Sequence, residues 1–345
     1  MGRDLVDRPY GRFYYLARNL AERGHDVVLA LLSYRREAPT DNITGRLRVC
    51  SASLVPIGRK SYLQLVNALI REGVPDWIIG CSDTYYGILA DYYGRRHGTR
   101  TLIDAYDNYE GYMPWCRPLH LLWRRALRKA TAISAAGPAL LDHMGEGGAG
   151  GRGLVLPMAA DPVGFQPLDR QQCRAELGLP STETLVGYSG SISSSRGIEV
   201  LFKAIEYLVQ KQPGTRLVLS GRLQKRLSLP SSAIWLGYVP DAKVPVLINA
   251  MDAVAVVNKP SAFGDYSYPI KLYEALKCGV PAVATRTCAT EWILDAHRDL
   301  LAEPGDPRHL AERLQQATKM PRIDYGPQPS WEVAAAALET FLQSH

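Results

Sequence analysis

A short helix between two buried strands constrains the fold of this chain more than any other stretch. Pro269 fixes φ and lacks an N–H that a first helical turn would leave unpaired, and Gly279 ends the helix, so the pattern predicts a helix over residues 269–278. The apolar runs 252–258 and 280–285 on either side are typical of buried parallel strands. This stretch therefore predicts an open parallel sheet, whose ligands bind beyond the carboxyl ends of its strands.

Lys271 and Glu274 are three residues apart in this helix, so they share one helical face near its N-terminus. An ammonium there suits a phosphate, and a carboxylate one turn later suits the paired hydroxyls of a ribose. A surface Lys–Glu pair on an amphipathic helix is the alternative interpretation.

A Gly/Ser-rich loop follows a second predicted strand. The sequence L-V-G-Y-S-G-S-I-S-S-S-R-G begins at Leu185, and a helix is predicted over residues 198–211. In such a loop backbone N–H groups approach a phosphate, and Arg196 can reach the same anion. The third glycine of a dinucleotide-binding fingerprint is missing, and taken alone the loop also fits a flexible linker.

These stretches resemble the donor-site signature of the family-four retaining glycosyltransferases of the GT-B fold, spelled P-x-K-x-x-E ahead of V-P-x-V-A-T. M-A-A-D-P-V-G-F-Q-P, residues 158–167, also resembles the crossover of that family. The resemblance implies an α/β fold of two doubly wound Rossmann-like domains facing across a cleft. It places an acceptor-binding domain at residues 1–160, a donor-binding domain at 161–325, and a terminal helix at 326–345 that crosses back to the first domain.

The resemblance also implies a function: sugar transfer from a nucleotide-sugar donor to a sugar, glycolipid or other hydroxyl acceptor in polysaccharide or glycolipid biosynthesis, with neither cofactor nor metal. Arg196 and Lys271 would then act in catalysis by neutralising the departing diphosphate. The chain departs from the family at Tyr266, where the first of two glutamates is usual, and at Ser191, where an arginine is usual. The implied donor-binding residues are Gly190, Ser191, Arg196, Asp265, Tyr266, Ser267, Pro269, Ile270, Lys271 and Glu274.

Two aspartates follow a predicted strand of the first domain. Asp104 and Asp107 stand in I-D-A-Y-D-N-Y-E, just past the strand end, where catalytic groups accumulate in open sheets. We expect a catalytic role in orienting or deprotonating the acceptor hydroxyl, although loop aspartates also cap helices and turns.

The composition limits which other kinds of protein and of site the sequence can represent. The chain has 345 residues, 46% of them apolar, and six cysteines without C-x-x-C or His-paired spacing, which indicates neither a zinc site nor a disulfide framework. No apolar run reaches the roughly 20 residues that a bilayer requires, and the first residues lack the apolar core of a signal peptide. The sequence therefore predicts a cytoplasmic protein.

The net charge of +6 lies entirely in the first half, where residues 1–160 carry 21 Lys and Arg against 15 Asp and Glu. Within residues 117–129 an apolar stripe that includes Leu122 and Trp123 accompanies five basic residues, and such helices lie on anionic lipid surfaces. We therefore expect peripheral attachment to the inner face of a membrane, with an ordinary sheet-covering helix as the alternative. No recognition helix or aromatic-basic motif indicates nucleic acid.

The start of the chain is unusual for this fold. A predicted helix over residues 10–24 precedes the first clear strand, 27–32, whereas such domains ordinarily begin with a strand. Residues 1–6 alone are available for it, so we expect the first strand to be shortened or missing. Residues 33–61 are interpreted as a variable stretch.

Two rival functions fit the same features. A nucleotide-sugar 2-epimerase shares the fold, and it would release no free nucleotide in steady turnover with an acceptor. A non-catalytic nucleotide-sugar-binding protein is the second rival, because Tyr266 and Ser191 depart from the family pattern.

Overall fold

The computed structural model describes residues 4–7, 9–34, 36–55, 58, 60–145 and 150–345. The chain forms two compact units. The first consists of Met1–Met158 with Pro329–His345, and the second of Ala159–Gln328. No helix of the described part is long and apolar enough to cross a membrane.

Helices and strands alternate through both units. The elements of the first unit are α1 (Asp4–Asp7), α2 (Gly11–Glu22), β1 (Val27–Ser33), β2 (Thr40–Thr44), β3 (Leu47–Ser53), α3 (Lys60–Glu72), β4 (Trp77–Cys81), α4 (Thr84–His97), β5 (Arg100–Ala105), α5 (Arg117–Lys129), β6 (Ala132–Ala135), α6 (Pro138–Met144) and β7 (Gly153–Val155). Those that follow are α7 (Arg170–Leu177), β8 (Thr184–Ser189), α8 (Ile198–Lys211), β9 (Thr215–Ser220), β10 (Ala233–Trp235), α9 (Val244–Asn249), β11 (Ala253–Val256), α10 (Ile270–Lys277), β12 (Ala282–Thr285), α11 (Cys288–Ile293), β13 (Leu301–Ala302), α12 (Pro307–Ala317) and, back in the first unit, α13 (Trp331–Gln343).

Within the described residues, the strands of the first unit lie in two separate sheets. In one, β3 lies between β1, which is parallel to it, and β2, which is antiparallel. The other has the order β4-β5-β6-β7, all parallel. Our interpretation of residues 33–61 as a variable stretch was therefore wrong, because it contains two strands. β2 is polar and largely exposed, so no hydrophobic pattern marks it.

The edge of β1 that faces away from β3 has no strand beside it in the described part of the chain. The backbone bonds at both ends of β1 show that its odd-numbered residues face β3. Val28, Ala30 and Leu32 therefore turn their N–H and C=O groups to the open side. The Tyr62 hydroxyl donates to the carbonyl of Ala30 at 3.3 Å and so satisfies one of these groups.

The expected first strand falls partly outside the described residues. Residues 1–3 and 8 are not described, and Asp4–Asp7 is helical. Among the residues that are described, none ahead of α2 forms a strand.

The second unit contains one six-stranded parallel sheet with the order β10-β9-β8-β11-β12-β13. Numbered from β8, this is the order 3-2-1-4-5-6 of a doubly wound Rossmann sheet. The chain leaves the sheet in opposite directions from β8 and β11, so their carboxyl ends flank the topological switch point. The inner strands are almost fully buried, because helices cover both faces of such a sheet.

The last helix packs within the first unit. Trp331 is 1% exposed, and its ring stacks on that of Tyr15 at a centroid distance of 6.2 Å. Glu339 accepts hydrogen bonds from Arg23 and His25, which follow α2. An apolar contact to α2 and charged contacts to the residues after it thus attach α13 within the first unit.

Candidate active site

The candidate site lies at the switch point of the second unit, where β8 and β11 end. Gly190 follows β8 with φ +133, a conformation that favours glycine. A Cβ on Gly221, after β9, would lie 1.9 Å from the carbonyl oxygen of Gly190. The two glycines therefore let the loops after β8 and β9 touch at this edge of the sheet.

Helix α10 projects Lys271 toward the end of β8. Its Nζ lies 3.5 Å from the carbonyl oxygen of Ser189 and 4.5 Å from the centre of the Tyr188 ring. Burial and, second to it, the charge of Arg196 lower the pKa of Lys271 to about 8, while Glu274 acts in the opposite direction. No salt bridge of Lys271 is present among the described residues, so this ammonium is poised for an anion.

Glu274 lies one turn further along α10. Burial raises the pKa of its carboxyl group to about 7, with Asp161 as the next cause, while Lys271 lowers it. No group in the described part of the chain donates a hydrogen bond to the carboxylate. A half-buried carboxylate without donors is costly, and two ligand hydroxyl groups would satisfy it.

Arg196 stands at the end of the Gly/Ser loop, in the turn Ser194–Arg196 ahead of α8. Its guanidinium carbon lies 5.2 Å from the centre of the Phe263 ring, which belongs to the loop between β11 and α10. Sequence reasoning missed Phe263, because nothing in the sequence shows that these two loops meet.

Serine hydroxyl groups occupy the same loop as Arg196. The Ser193 Oγ lies 2.9 Å from that of Ser195 and 3.4 Å from that of Ser191. At Ser191, where the family has an arginine, the loop therefore offers hydroxyl groups in place of a cation.

The other predicted donor-binding residues lie between β11 and α10. Asp265 and Tyr266 belong to the turn Gly264–Tyr266, and Ser267 is buried behind it. Pro269 forms the N-cap of α10, and Ile270 is its first residue. The helix thus begins and ends within one residue of the predicted positions.

The predicted acceptor-side aspartates have different surroundings in the first unit. The Arg12 guanidinium donates to both Asp104 oxygens at 2.8 and 2.7 Å, and Ser134 Oγ donates to Oδ1 at 2.6 Å. Burial lowers the pKa of Arg12, but the pairing with Asp104 outweighs it and the pKa lies above its usual value. This pairing favours a structural role for Asp104, and its catalytic role stays a prediction.

Asp107 is also buried, at 6% exposure, and it accepts a hydrogen bond from the Tyr112 hydroxyl at 2.9 Å. Burial, followed by the charge of Asp107, raises the pKa of Tyr112 well above its usual range. A neutral Tyr112 therefore orients the Asp107 carboxylate at the end of β5. Among the described residues, no group of three or more His, Cys, Asp or Glu is arranged to hold a metal ion.

Two family models match the chain. The one described as Glycosyl transferase 4-like domain matches residues 12–159, and the one described as Glycosyl transferases group 1 matches residues 169–330. Together they take in nearly all of both units.

Curated relatives include D-inositol 3-phosphate glycosyltransferases. The protein from Corynebacterium jeikeium is 28% identical over 218 residues, which are 55% of this chain and 51% of the relative. The protein from Segniliparus rotundus is 29% identical over 145 residues, 38% of this chain and 31% of the relative. The chain thus spans about half, or less, of the length of these relatives.

Solved structures extend the likeness to the whole chain. Sucrose-phosphate synthase from Thermosynechococcus elongatus has a TM-score of 0.75 and 17% identity, with 100% of this chain and 89% of that chain covered. The Anabaena protein HepE, in complex with UDP and glucose, has a TM-score of 0.67 and 17% identity, with 95% and 90% covered. At such identities the likeness shows the fold.

The sheet order of the second unit, the two family models and the solved structures agree with one another. They confirm the resemblance seen in P-x-K-x-x-E and the predicted fold class. This chain belongs to the family-four glycosyltransferases, the glycosyl transferases group 1, of the GT-B fold.

Proposed function

We propose that this protein is a retaining glycosyltransferase that moves a sugar from a nucleotide-sugar donor to a hydroxyl acceptor without a metal ion, in polysaccharide or glycolipid biosynthesis. The observation that carries the proposal is the set Lys271, Arg196 and Glu274 at the switch point of the second sheet, none of which forms a salt bridge within the described residues. The retaining outcome and the biosynthetic role follow from the family resemblance.

Each of the three side chains has a task in this reaction. Lys271, Arg196 and the N-terminus of α10 stabilise the negative charge that grows on the leaving diphosphate. Glu274 accepts hydrogen bonds from the two ribose hydroxyl groups. Because these bonds favour the ionised carboxylate, and the pKa of Glu274 is about 7 without ligand, donor binding near pH 6 should release a proton.

In the first unit, Asp107 is the better candidate to orient the acceptor hydroxyl. Its carboxylate accepts from the neutral Tyr112 hydroxyl, whereas both oxygens of Asp104 accept from the charged Arg12 guanidinium and one also accepts from Ser134. The ion pair with a guanidinium favours the ionised form of Asp104 and so makes it a weaker base toward a substrate hydroxyl.

Thermal shift with a panel of UDP, GDP, ADP and dTDP sugars tests donor binding, since a ligand of the folded state raises the melting temperature. UDP sugars come first, because HepE was solved with UDP. We expect one nucleotide class to raise the melting temperature and, with acceptor, to yield free nucleoside diphosphate in EDTA.

Loss of turnover on chelation, restored by manganese or magnesium, would refute the metal-free mechanism. Binding without turnover would favour a non-catalytic binder, and epimerised sugar without released nucleotide a 2-epimerase.

We also propose that the first unit attaches to an anionic membrane surface that carries a lipid-linked acceptor. The predicted apolar stripe of α5 is divided: Trp123 is buried within the unit, as the sheet-covering alternative expects, whereas Leu122 is half exposed. Leu121, outside the stripe, is 71% exposed. Arg124 donates a hydrogen bond to Glu110, so its charge is paired within the unit. What remains exposed is a mixed surface of Trp115, Leu121, Leu122, Arg117, Arg125, Arg128 and Lys129.

Each basic residue near an anionic surface contributes about 1 kcal/mol, so this surface should give reversible, salt-sensitive attachment. We expect the protein to float with anionic but not neutral liposomes at low salt, and Arg125→Glu to reduce that fraction. Lys203→Glu, an exposed charge reversal on α8, is the matched control. Equal recovery with both liposome types, or with neither, would make a soluble acceptor the better hypothesis.

A further inference from the structure

The loop between β11 and α10 contains an aromatic residue, Phe263, whose ring lies beside the guanidinium group of Arg196. The Arg196 guanidinium carbon lies 5.2 Å from the centre of the Phe263 ring. A guanidinium over an aromatic face is attracted by the ring quadrupole, and stacking leaves the N–H donors at its edge available. A carboxylate partner would instead occupy those donors, as Asp104 occupies those of Arg12.

The backbone around Phe263 fixes where the ring lies. Gly264 N donates to Ser261 Oγ at 2.9 Å, and Asp265 N donates to the Ser261 carbonyl oxygen at 2.9 Å, so the loop turns tightly here. A Cβ on Gly264 would lie 2.2 Å from the carbonyl oxygen of Lys259, which shows how closely the turn closes. Phe263 therefore projects from a constrained turn.

The two loops also meet through their backbones. Gly197, directly after Arg196, has φ +75, and a Cβ added to it would lie 3.4 Å from Lys259 N. The loop that carries the cation and the loop that carries the ring thus meet at Arg196 and at the residue that follows it.

We propose that Phe263 is a positioning residue, which holds the Arg196 guanidinium on its ring face and so keeps the guanidinium N–H groups available to the diphosphate of the donor. This inference rests on the proposed function for the identity of the anion. The position of Arg196 itself does not depend on that function.

The pKa of Lys271 reports the position of Arg196 in the absence of any ligand. The charged and titratable groups around Lys271 are Arg196 from the turn before α8, Glu274 on its own helix, and Tyr188 from β8, whose pKa is raised to about 12 by burial and which is therefore neutral near pH 8. The charge of Arg196 contributes to the lowered pKa of Lys271. If Arg196 swings away, the pKa of Lys271 should rise.

The experiment compares Phe263→Leu, Phe263→Tyr and Arg196→Ala with the unaltered chain. Lysines are reductively methylated with ¹³C, the Lys271 signal is assigned through its loss in Lys271→Arg, and its pKa is read by NMR titration. We expect the pKa of Lys271 to rise in Phe263→Leu and in Arg196→Ala, to rise no further in the double variant, and to stay unchanged in Phe263→Tyr, which keeps the ring.

Calorimetry with the nucleoside diphosphate of the responsive donor class is the functional arm. Phe263→Leu should weaken binding about two- to fivefold, the range expected for an exposed cation–π contact, and Phe263→Tyr should restore it. An unchanged Lys271 pKa in Phe263→Leu, or in Arg196→Ala, would overturn the inference. If the pKa rises as expected but no nucleotide binds even to the unaltered chain, the positioning role stands and the proposed function fails.

Discussion

One pair of charged residues in each unit of this protein shows two opposite ways of sheltering a charge. In the first unit, Arg12 and Asp104 are 2% and 3% exposed and satisfy each other, with Ser134 as a third partner. In the second, Lys271 and Glu274 are sheltered enough to shift both pKa values toward neutrality, yet neither forms a salt bridge among the described residues. A charge paired within the chain stabilises the fold, whereas a sheltered charge without a partner is stabilised by a ligand.

Breaking the paired charges should have the largest effect. Asp104→Ala leaves the Arg12 guanidinium buried without its carboxylate, so we expect the free energy of unfolding to fall by about 3–5 kcal/mol. Urea denaturation measures this. Asp26→Ala is the matched control, because Asp26 pairs with Arg46 on the exposed surface, where such pairs contribute about 0–1 kcal/mol. Equal losses in the two variants would mean that the buried Arg12–Asp104 pair contributes no more than an exposed one.

Removing the unpaired ammonium should affect turnover rather than stability. Lys271→Ala should raise the activation free energy by about 3 kcal/mol, because the diphosphate gains charge in the transition state. Affinity for the free nucleoside diphosphate should fall less. Lys277→Ala, in the last turn of the same helix, is the control. Similar losses in turnover and in nucleotide affinity would indicate uniform binding instead.

Removing the unpaired carboxylate should weaken donor binding. Glu274→Ala deletes the acceptor of two ribose hydrogen bonds, and we expect a loss of about 2–3 kcal/mol by calorimetry. Glu206→Ala, an exposed carboxylate on α8, should leave affinity unchanged. An unaltered affinity in Glu274→Ala would return this residue to the surface-pair interpretation.

The smallest effect is a pH dependence of stability. The folded pKa of Glu274, about 7, lies above the ordinary value of 4.5, so its stabilising contribution is complete below pH 4.5 and is lost as pH rises through 7. Glu274→Gln cannot ionise. Without ligand, its free energy of unfolding relative to that of the unaltered chain should therefore increase by about 1 kcal/mol between pH 5 and 7. Urea denaturation at both pH values checks this. A constant difference between the two proteins would contradict the raised pKa.

The sequence predicted the second unit better than the first, for physical reasons. Pro269 and Gly279 mark the ends of α10 through local chemistry that needs no tertiary contact, and the buried strands beside it carry an unbroken apolar pattern. By contrast, β2 is polar and exposed, and only its pairing with β3 defines it.

Side-chain partners distant in sequence could not be predicted. Arg12 and Asp104 are 92 residues apart, so the pairing that favours a structural role for the aspartate was hidden until the fold brought them together. The same holds for Phe263 and Arg196, which lie on loops after different strands. The sequence did predict that Lys271 and Glu274 share one face, because a single helix contains both residues.

The open edge of β1 has a consequence for exchange of its amide protons with solvent. Leu29 and Leu31 donate toward β3, whereas Val28 and Leu32 point to the side where the described residues include no neighbouring strand. Exchange requires a free amide, so adjacent residues of one strand should take up deuterium at two different rates. The amides on one edge of β1 would thus be protected from exchange, and those on the other edge would exchange readily. This difference would occur in the unit that contains the buried Arg12–Asp104 pair.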